Sequence, residues 1–229
     1  MHGYLMKDAI TGRFISRPVI VRRRRPRFDS SHDNHPADMD WMPTVPRGQV
    51  ELIADGEHYQ RVIRDGLLKA KVSLDISTAD FKAMLLPSPA TGSNKRRGDA
   101  ESVVAHLARL AERGVEVRIL HAGVPSGPTL RELKGPLPRE LTIRRCPRLH
   151  AKMVMVDARM MYLGSANLTG AGLGAKGETR RNFEWGVWTT SAELIDAAGQ
   201  RFNALWEGTH CKGCGRREVC PVPLEEPEL

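Results

Sequence analysis

An α/β sandwich, with a central mixed sheet flanked by helices, is the fold class that this sequence predicts. Three observations lead to it. From residue 49 onward, short apolar runs of strand length alternate with longer segments whose apolar residues recur every three or four positions. Their order is strand–helix–strand–helix–strand, then several strands and one more helix, which puts helices against a sheet with mixed neighbours. The chain has 229 residues, 41% of them hydrophobic, which is enough for one such core.

Residues 1–46 lie outside that pattern. They lack apolar periodicity, hold the run Arg22, Arg23, Arg24, Arg25, Pro26, Arg27, and continue into a polar stretch at 29–40. This composition predicts a disordered basic arm, either touching phosphate backbones or simply solvated. His32 and His35 belong to that tract and are expected in solvent. No apolar core follows the early charges, so the arm does not resemble a secretory signal, and no stretch reaches membrane-spanning length. A cytoplasmic protein is expected.

The globular part is expected over 47–208, followed by a Cys-rich tail at 209–229. Residues 50–53 form a short strand. Residues 56–71 read as a helix with Tyr59, Val62, Ile63, Leu67 and Ala70 on one face, and 72–78 alternate as a strand. A long basic loop passes Pro87, Pro89 and Gly92 to Asn94, Lys95, Arg96 and Arg97. A second helix spans 99–113 on Val103, Val104, Leu107 and Leu110, and Gly114 closes it. Strands follow at 115–120 and 141–145, with a short helix at 129–133 between them. After a Gly-rich loop at 168–177 come Arg180 and Arg181, then a strand at 183–189 carrying Glu184. The last helix is 191–206, with Ser191 as N-cap and Leu194, Ile195, Ala198, Phe202 and Leu205 buried.

Two apolar runs, 150–156 and 160–163, read as a hairpin. Alternation puts His150 and Lys152 on one face and Asp157 on the other. The second strand carries Ser165 and Asn167 back to the edge where His150 starts. An imidazole, an ammonium, a hydroxyl and a carboxamide then surround one point, which suits a phosphodiester. Lys152, Ser165 and Asn167 donate to non-bridging oxygens, and the imidazole serves as nucleophile, base or acid. No carboxylate cluster accompanies them, so metal-dependent chemistry is not indicated and no catalytic cofactor is expected. The formal net charge of +8 favours a polyanionic partner, nucleic acid or an anionic lipid surface, over a neutral small molecule.

The spacing His150-x-Lys152-x4-Asp157-x6-Gly164-Ser165-x-Asn167 resembles the HKD motif of the phospholipase D superfamily. Similarity extends to Asp55–Tyr59, to Thr78-Ala79-Asp80 and to Asn182–Gly186, covering roughly 49–207. The resemblance implies a phospholipase D-like sandwich and a double displacement through a phosphohistidine, with a second histidine as acid and base. The chain holds one complete motif. His210-Cys211-Lys212 is a chance partial match, with Arg217 in place of the aspartate. Small single-motif members, such as the bacterial HKD endonucleases, complete the site by homodimerising. Carried over, His150 attacks and the second copy's His150 serves as acid and base. Lys152 and Asn167 hold phosphate oxygens with Ser165 in support, Glu184 orients His150, and Asp157 is mainly structural. A nuclease acting on DNA or RNA is the leading expectation. A phospholipase D acting on lipid head groups, or a nucleic-acid-binding protein that kept the fold, are the alternatives.

The tail carries Cys211, Cys214 and Cys220 in C-x2-C-x5-C-Pro, and Cys146 lies four residues before His150. A segment too short for its own core and rich in cysteine suggests a structural metal clip, with His210 or Cys146 as fourth ligand. Zinc is the first expectation. The spacing also resembles the [4Fe–4S] staple of RecB-like nucleases. Unligated thiols or a redox pair remain as further readings.

Overall fold

A computed structural model of the chain describes residues 5–7, 14–16, 49–87 and 100–220. The chain divides into two units, Met1–Thr44 and Val45–Leu229. In the first, β1 (Leu5–Lys7) pairs antiparallel with β2 (Phe14–Ser16), a pairing that the reading of 1–46 as a disordered arm does not contain. The arginine run at 22–27, the polar stretch with His32 and His35, and the basic loop from Asn94 to Arg97 lie outside the described residues.

The second unit contains, in chain order, β3 (Val50–Ala54), β4 (Ser73–Thr78), β5 (Leu85–Pro87), β6 (Ala100–Ser102), α1 (Val103–Glu112), β7 (Glu116–His121), α2 (Gly127–Leu133), β8 (Leu141–Arg145), β9 (Lys152–Val156), β10 (Met160–Gly164), β11 (Trp185–Thr189) and α3 (Ala192–Trp206). Seven strands form one sheet in the order β3-β11-β10-β9-β4-β7-β8. β4, β7 and β8 run parallel, because α1 and α2 supply the crossovers that parallel neighbours need. β3, β11, β10 and β9 pair antiparallel, and β9 also pairs antiparallel with β4. The sheet is therefore mixed, as expected.

Both faces of its centre are covered. Ile76, Ile119, Val154, Val156, Tyr162 and Trp188 pack with the α1 side, whereas Leu120, Met153, Met155 and Met161 pack with Ile195, Phe202 and Trp206 of α3. Burial on both faces explains why 153–156 is a continuous apolar run and not an alternating one. The α3 side also holds a half-buried ion pair. Arg118 donates to both carboxylate oxygens of Asp75 at 2.7 Å, with its guanidinium 5.0 Å from the Phe202 ring centroid. Ser191 caps α3 through Leu194 N–H, as its place in the sequence predicts.

Two helices differ from expectation. The 56–71 segment is broken into a π-helix at Tyr59–Arg64 and a 3-10 turn at Leu67–Lys69. The break falls at Gly66, where a Cβ would stand 2.7 Å from the Val62 carbonyl oxygen and 2.9 Å from the Trp188 ring. Close packing of chain on tryptophan thus overrides helical periodicity. The helix expected at 99–113 begins only at Val103, because Ser102 takes the N-cap, accepting from Ala105 N–H at 3.1 Å. The preceding Ala100–Ser102 is extended and pairs with Leu85–Pro87.

Candidate active site

The β9–β10 hairpin sets the site. Its register places Gly164 opposite Lys152, so the chain just beyond β10 returns to the start of β9. At the far end the turn residues Asp157 and Ala158 take φ values of 52° and 49°. The Asp157 carboxylate accepts from the amides of Lys71, Val72 and Ser73 at 2.8–3.2 Å and pins the hairpin to the start of β4. Burial pushes its pKa up, but the three N–H donors outweigh that and hold it below the usual aspartate value. A lowered folded-state pKa contributes stability that is full above the unfolded value and is lost as pH falls through the folded one. Asp157→Ala is therefore expected to lower the unfolding free energy by about 1–3 kcal/mol at neutral pH. The loss shrinks in acid, and both are measurable by urea unfolding at pH 7 and pH 3. Asp157 thus ties the hairpin to β4 at the end away from Lys152.

At the near end His150 precedes β9 and is exposed, while Lys152 is buried. The Lys152 ammonium donates to the His150 carbonyl oxygen at 2.9 Å and lies 3.3 and 3.2 Å from the two ring nitrogens. Burial pulls the lysine pKa below its usual value, and the charge of Glu184 opposes the shift. Imidazole and ammonium thus meet at one opening, although His150 lies outside the strand.

Ser165 and Glu184 are joined. Ser165 Oγ donates to Glu184 Oε2, and Asn182 Nδ2 donates to Glu184 Oε1 at 3.0 Å. Glu184 is buried, and its amide donates to Asp55 Oδ1 at 3.0 Å. The expected pairing of Glu184 with His150 is not what these contacts give. Glu184 is bonded to Ser165 and acts on Lys152 through its charge. Asn167 Oδ1 accepts from the amides of Ala79 and Asp80, both at 3.1 Å. Two backbone donors fix which end of the carboxamide is oxygen, and leave the NH2 end as the donor.

A residue whose role sequence reasoning missed is His58. It is fully buried, with Nδ1 3.0 Å from the Asp55 carbonyl oxygen and Nε2 3.2 Å from Tyr162 Oη. A carbonyl only accepts, so Nδ1 carries the proton and Tyr162 O–H donates to Nε2. Tyr162 Oη in turn accepts from Ala166 N–H at 2.9 Å, inside the Gly-Ser-Ala-Asn segment. Burial lowers the His58 pKa and pushes Tyr162 up to about 12, which keeps both neutral for this relay. Room for the tyrosine comes from the facing pair Gly164 and Gly186, since a Cβ on Gly164 would stand 2.5 Å from Tyr162 Oη. The glycine of the motif thus has a packing reason. His58 stands within the similar stretch Asp55–Tyr59, but nothing in spacing alone links it to Tyr162.

His150, Lys152 and Ser165 line an open recess of about 480 Å³ whose rim includes Leu52, Leu163 and Trp185. Leu52 is 73% exposed, Trp185 66% and nearby Phe183 89%. Leu52 and Leu163 both pair with Val187, so three separate strands gather this apolar face. The sequence, read as linear stretches, gives no sign of it. On the other side of His150 lies a second cavity, of about 250 Å³, lined by Cys146, Cys211, Cys214, Cys220 and His210. No disulfide joins the cysteines. Among the described residues, no three His, Cys, Asp or Glu side chains converge closely enough, as they stand, to hold an ion. Among the described residues, too, no helix is long and apolar enough to cross a membrane.

With this geometry in hand, comparison with known proteins is informative. The family model described as "Cardiolipin synthase, PLD-like domain" matches residues 63–206. Solved structures similar to this chain include Nuc of Salmonella typhimurium, a phospholipase D family member (19% identity, 69% of this chain and 93% of that one, TM-score 0.45). NucT of Helicobacter pylori is similar at 17% identity over 68% of this chain and 93% of that one, with a TM-score of 0.49. Phosphatidylserine synthase of Haemophilus influenzae matches at 19% identity over 68% and 38%, with a TM-score of 0.43. Comparison with curated proteins gives no match. The family match spans more than half of the chain and takes in the whole segment from His150 to Asn167 as well as Glu184, so this chain belongs to the phospholipase D-like superfamily, whose members are phosphodiesterases.

Proposed function

We propose that this chain is a nuclease that hydrolyses phosphodiester bonds of nucleic acid without a catalytic metal, working as a homodimer. The observation that carries this reading is the contact of the buried Lys152 ammonium with the exposed His150 ring at an open recess. A ring beside a fixed cation is a place where a phosphate is held against a nucleophile. His150 attacks phosphorus, an N–P bond forms, and the P–O bond to the leaving oxygen breaks. The second copy's His150 gives that oxygen its proton. Water then attacks phosphorus, loses its proton to the same imidazole, and the N–P bond breaks. Lys152 neutralises the non-bridging oxygens, and the Asn167 NH2 is the second donor to them. Glu184 anchors Ser165 and offsets the charge of Lys152.

The net charge of +8 supports a polyanion as substrate. One histidine per motif supports two copies per site, and the exposed apolar rim of Leu52, Leu163 and Trp185 supports their meeting there. That same rim is the observation favouring a second reading, a phosphodiesterase acting on phospholipid head groups, since exposed tryptophan and leucine also suit a lipid surface. Cleavage assays decide between them. Labelled single- and double-stranded DNA, RNA and phosphatidylcholine vesicles are incubated with the protein with no divalent cation added. Nucleic-acid cleavage alone is expected, and vesicle turnover alone selects the lipid reading.

Lys152 gives a pH signature. Its charged form is the active one and its pKa lies below the usual lysine value. Activity should therefore fall with rising pH through a limb below about 10.5, the ordinary lysine value. Lys152→Arg moves that limb to higher pH, while Lys152→Ala lowers kcat on the order of 10²–10³-fold at pH 7. A pH–rate profile in which Lys152→Arg leaves the alkaline limb in place contradicts this role.

A further inference from the structure

The second cavity carries an inference independent of the phosphodiester chemistry. It is lined by every cysteine of the chain, although Cys146 is sixty-five residues before Cys211, the difference of their numbers. We infer that Cys146, Cys211, Cys214 and Cys220 form a tetrathiolate metal centre that clamps the tail onto the segment carrying His150. The chemistry shared by its two candidate occupants, one zinc ion or one iron–sulfur cluster, is ligation by four thiolates.

Two contacts already hold the tail against that segment. The Cys220 thiol lies 3.8 Å from the Arg145 carbonyl oxygen, and the Arg148 guanidinium lies 3.8 Å from Cys214 Sγ. The residues that the tail cysteines touch, Arg145 and Arg148, thus lie on either side of Cys146 in sequence. All four cysteines are half-buried, whereas His210 is exposed, which favours Cys146 as the fourth ligand. A tetrathiolate centre is net negative, and Arg148, Arg216 and Arg217 line the same cavity to offset it. The thiols ring the cavity without meeting at one point, so binding must draw the tail inward, and metal binding becomes local folding.

His150 borders this cavity as well as the recess. Leu149, beside it, is buried, and its amide donates to the Cys146 carbonyl oxygen at 2.9 Å. Fixing Cys146 therefore fixes the turn that ends at His150. The centre acts by positioning, and only its consequence for turnover rests on the function proposed above.

The full-length protein, purified both aerobically and anaerobically, is subjected to metal analysis and absorption spectroscopy. About one zinc per chain in a colourless protein, or about four iron with sulfide in a brown one, is expected, and the two arms tell the occupants apart. Cys146→Ser and the Cys211→Ser/Cys214→Ser pair should each lose at least half of the metal, and His210→Ala should keep it. Where a serine variant fails to fold, Co²⁺ titration of metal-depleted native protein should give thiolate charge-transfer absorption. Hydrogen exchange over 146–151 should slow on loading, a readout unaffected by whether the chain cleaves anything. A native chain with neither zinc nor iron and no cobalt–thiolate absorption overturns the centre. Full metal content in Cys146→Ser, or its loss in His210→Ala, overturns the ligand set. Unchanged exchange at 146–151 overturns the positioning role.

Discussion

His150→Ala is expected to lower kcat on nucleic acid by on the order of 10⁴-fold or more, with the thermal unfolding midpoint unchanged. The magnitude follows because the substitution removes the nucleophile and, from the second copy, the acid and base as well. The fold survives because His150 is exposed and precedes β9, and the carbonyl oxygen that accepts from the buried Lys152 is kept by alanine. Activity and circular dichroism on the same preparation check both halves. Activity within tenfold of the unsubstituted protein would remove His150 from the chemistry.

Leu52→Glu combined with Trp185→Glu is expected to convert the proposed dimer into monomers and to lower activity by about 100-fold or more. Both side chains are largely exposed on adjacent strands at the rim of the recess, so charge there costs the monomer little. At an interface the same charges must be desolvated against their symmetry copies, which opposes association. Sedimentation velocity reads the mass and the cleavage assay reads the activity. A companion experiment co-expresses His150→Ala with unsubstituted chains. A site needing both histidines loses activity as the square of the unsubstituted fraction, and a self-contained site loses it linearly. An active monomer, or a linear loss, contradicts the shared site.

Much of the fold was legible because its signals are local. The strands at 141–145, 152–156 and 160–164 and the helix at 192–206 with its cap Ser191 announce themselves through apolar runs and one serine. What was illegible depends on contacts between distant segments. Gly66 breaks a periodic helix because Trp188, more than a hundred residues later, packs on it. Ala100–Ser102 is extended because Leu85–Pro87 offers it a strand edge. The site divides in the same way. The nearness of His150, Lys152 and Ser165 was legible from spacing, and all three line one recess. That Asp157 faces away from Lys152 was legible from alternation, whereas its three amide donors, from Lys71 to Ser73, were not. The partner of Glu184 was not legible, since its bond to Ser165 depends on how β10 and β11 align. Nor was the relay from His58 through Tyr162 to Ala166, which joins residues a hundred positions apart. The apolar rim escaped notice because no single stretch of sequence contains it.

The proposed mechanism requires His150 to become covalently bonded to the phosphorus of the substrate. Its most direct test is a single-turnover reaction of a radiolabelled oligonucleotide with no divalent cation added, quenched in alkali, where phosphohistidine survives. The labelled peptide is then identified by mass spectrometry. Label on His150 that appears and decays within the turnover time, and that is absent from His150→Ala, is the predicted result. Turnover that leaves no label on the chain, or places it on another residue, would contradict the account.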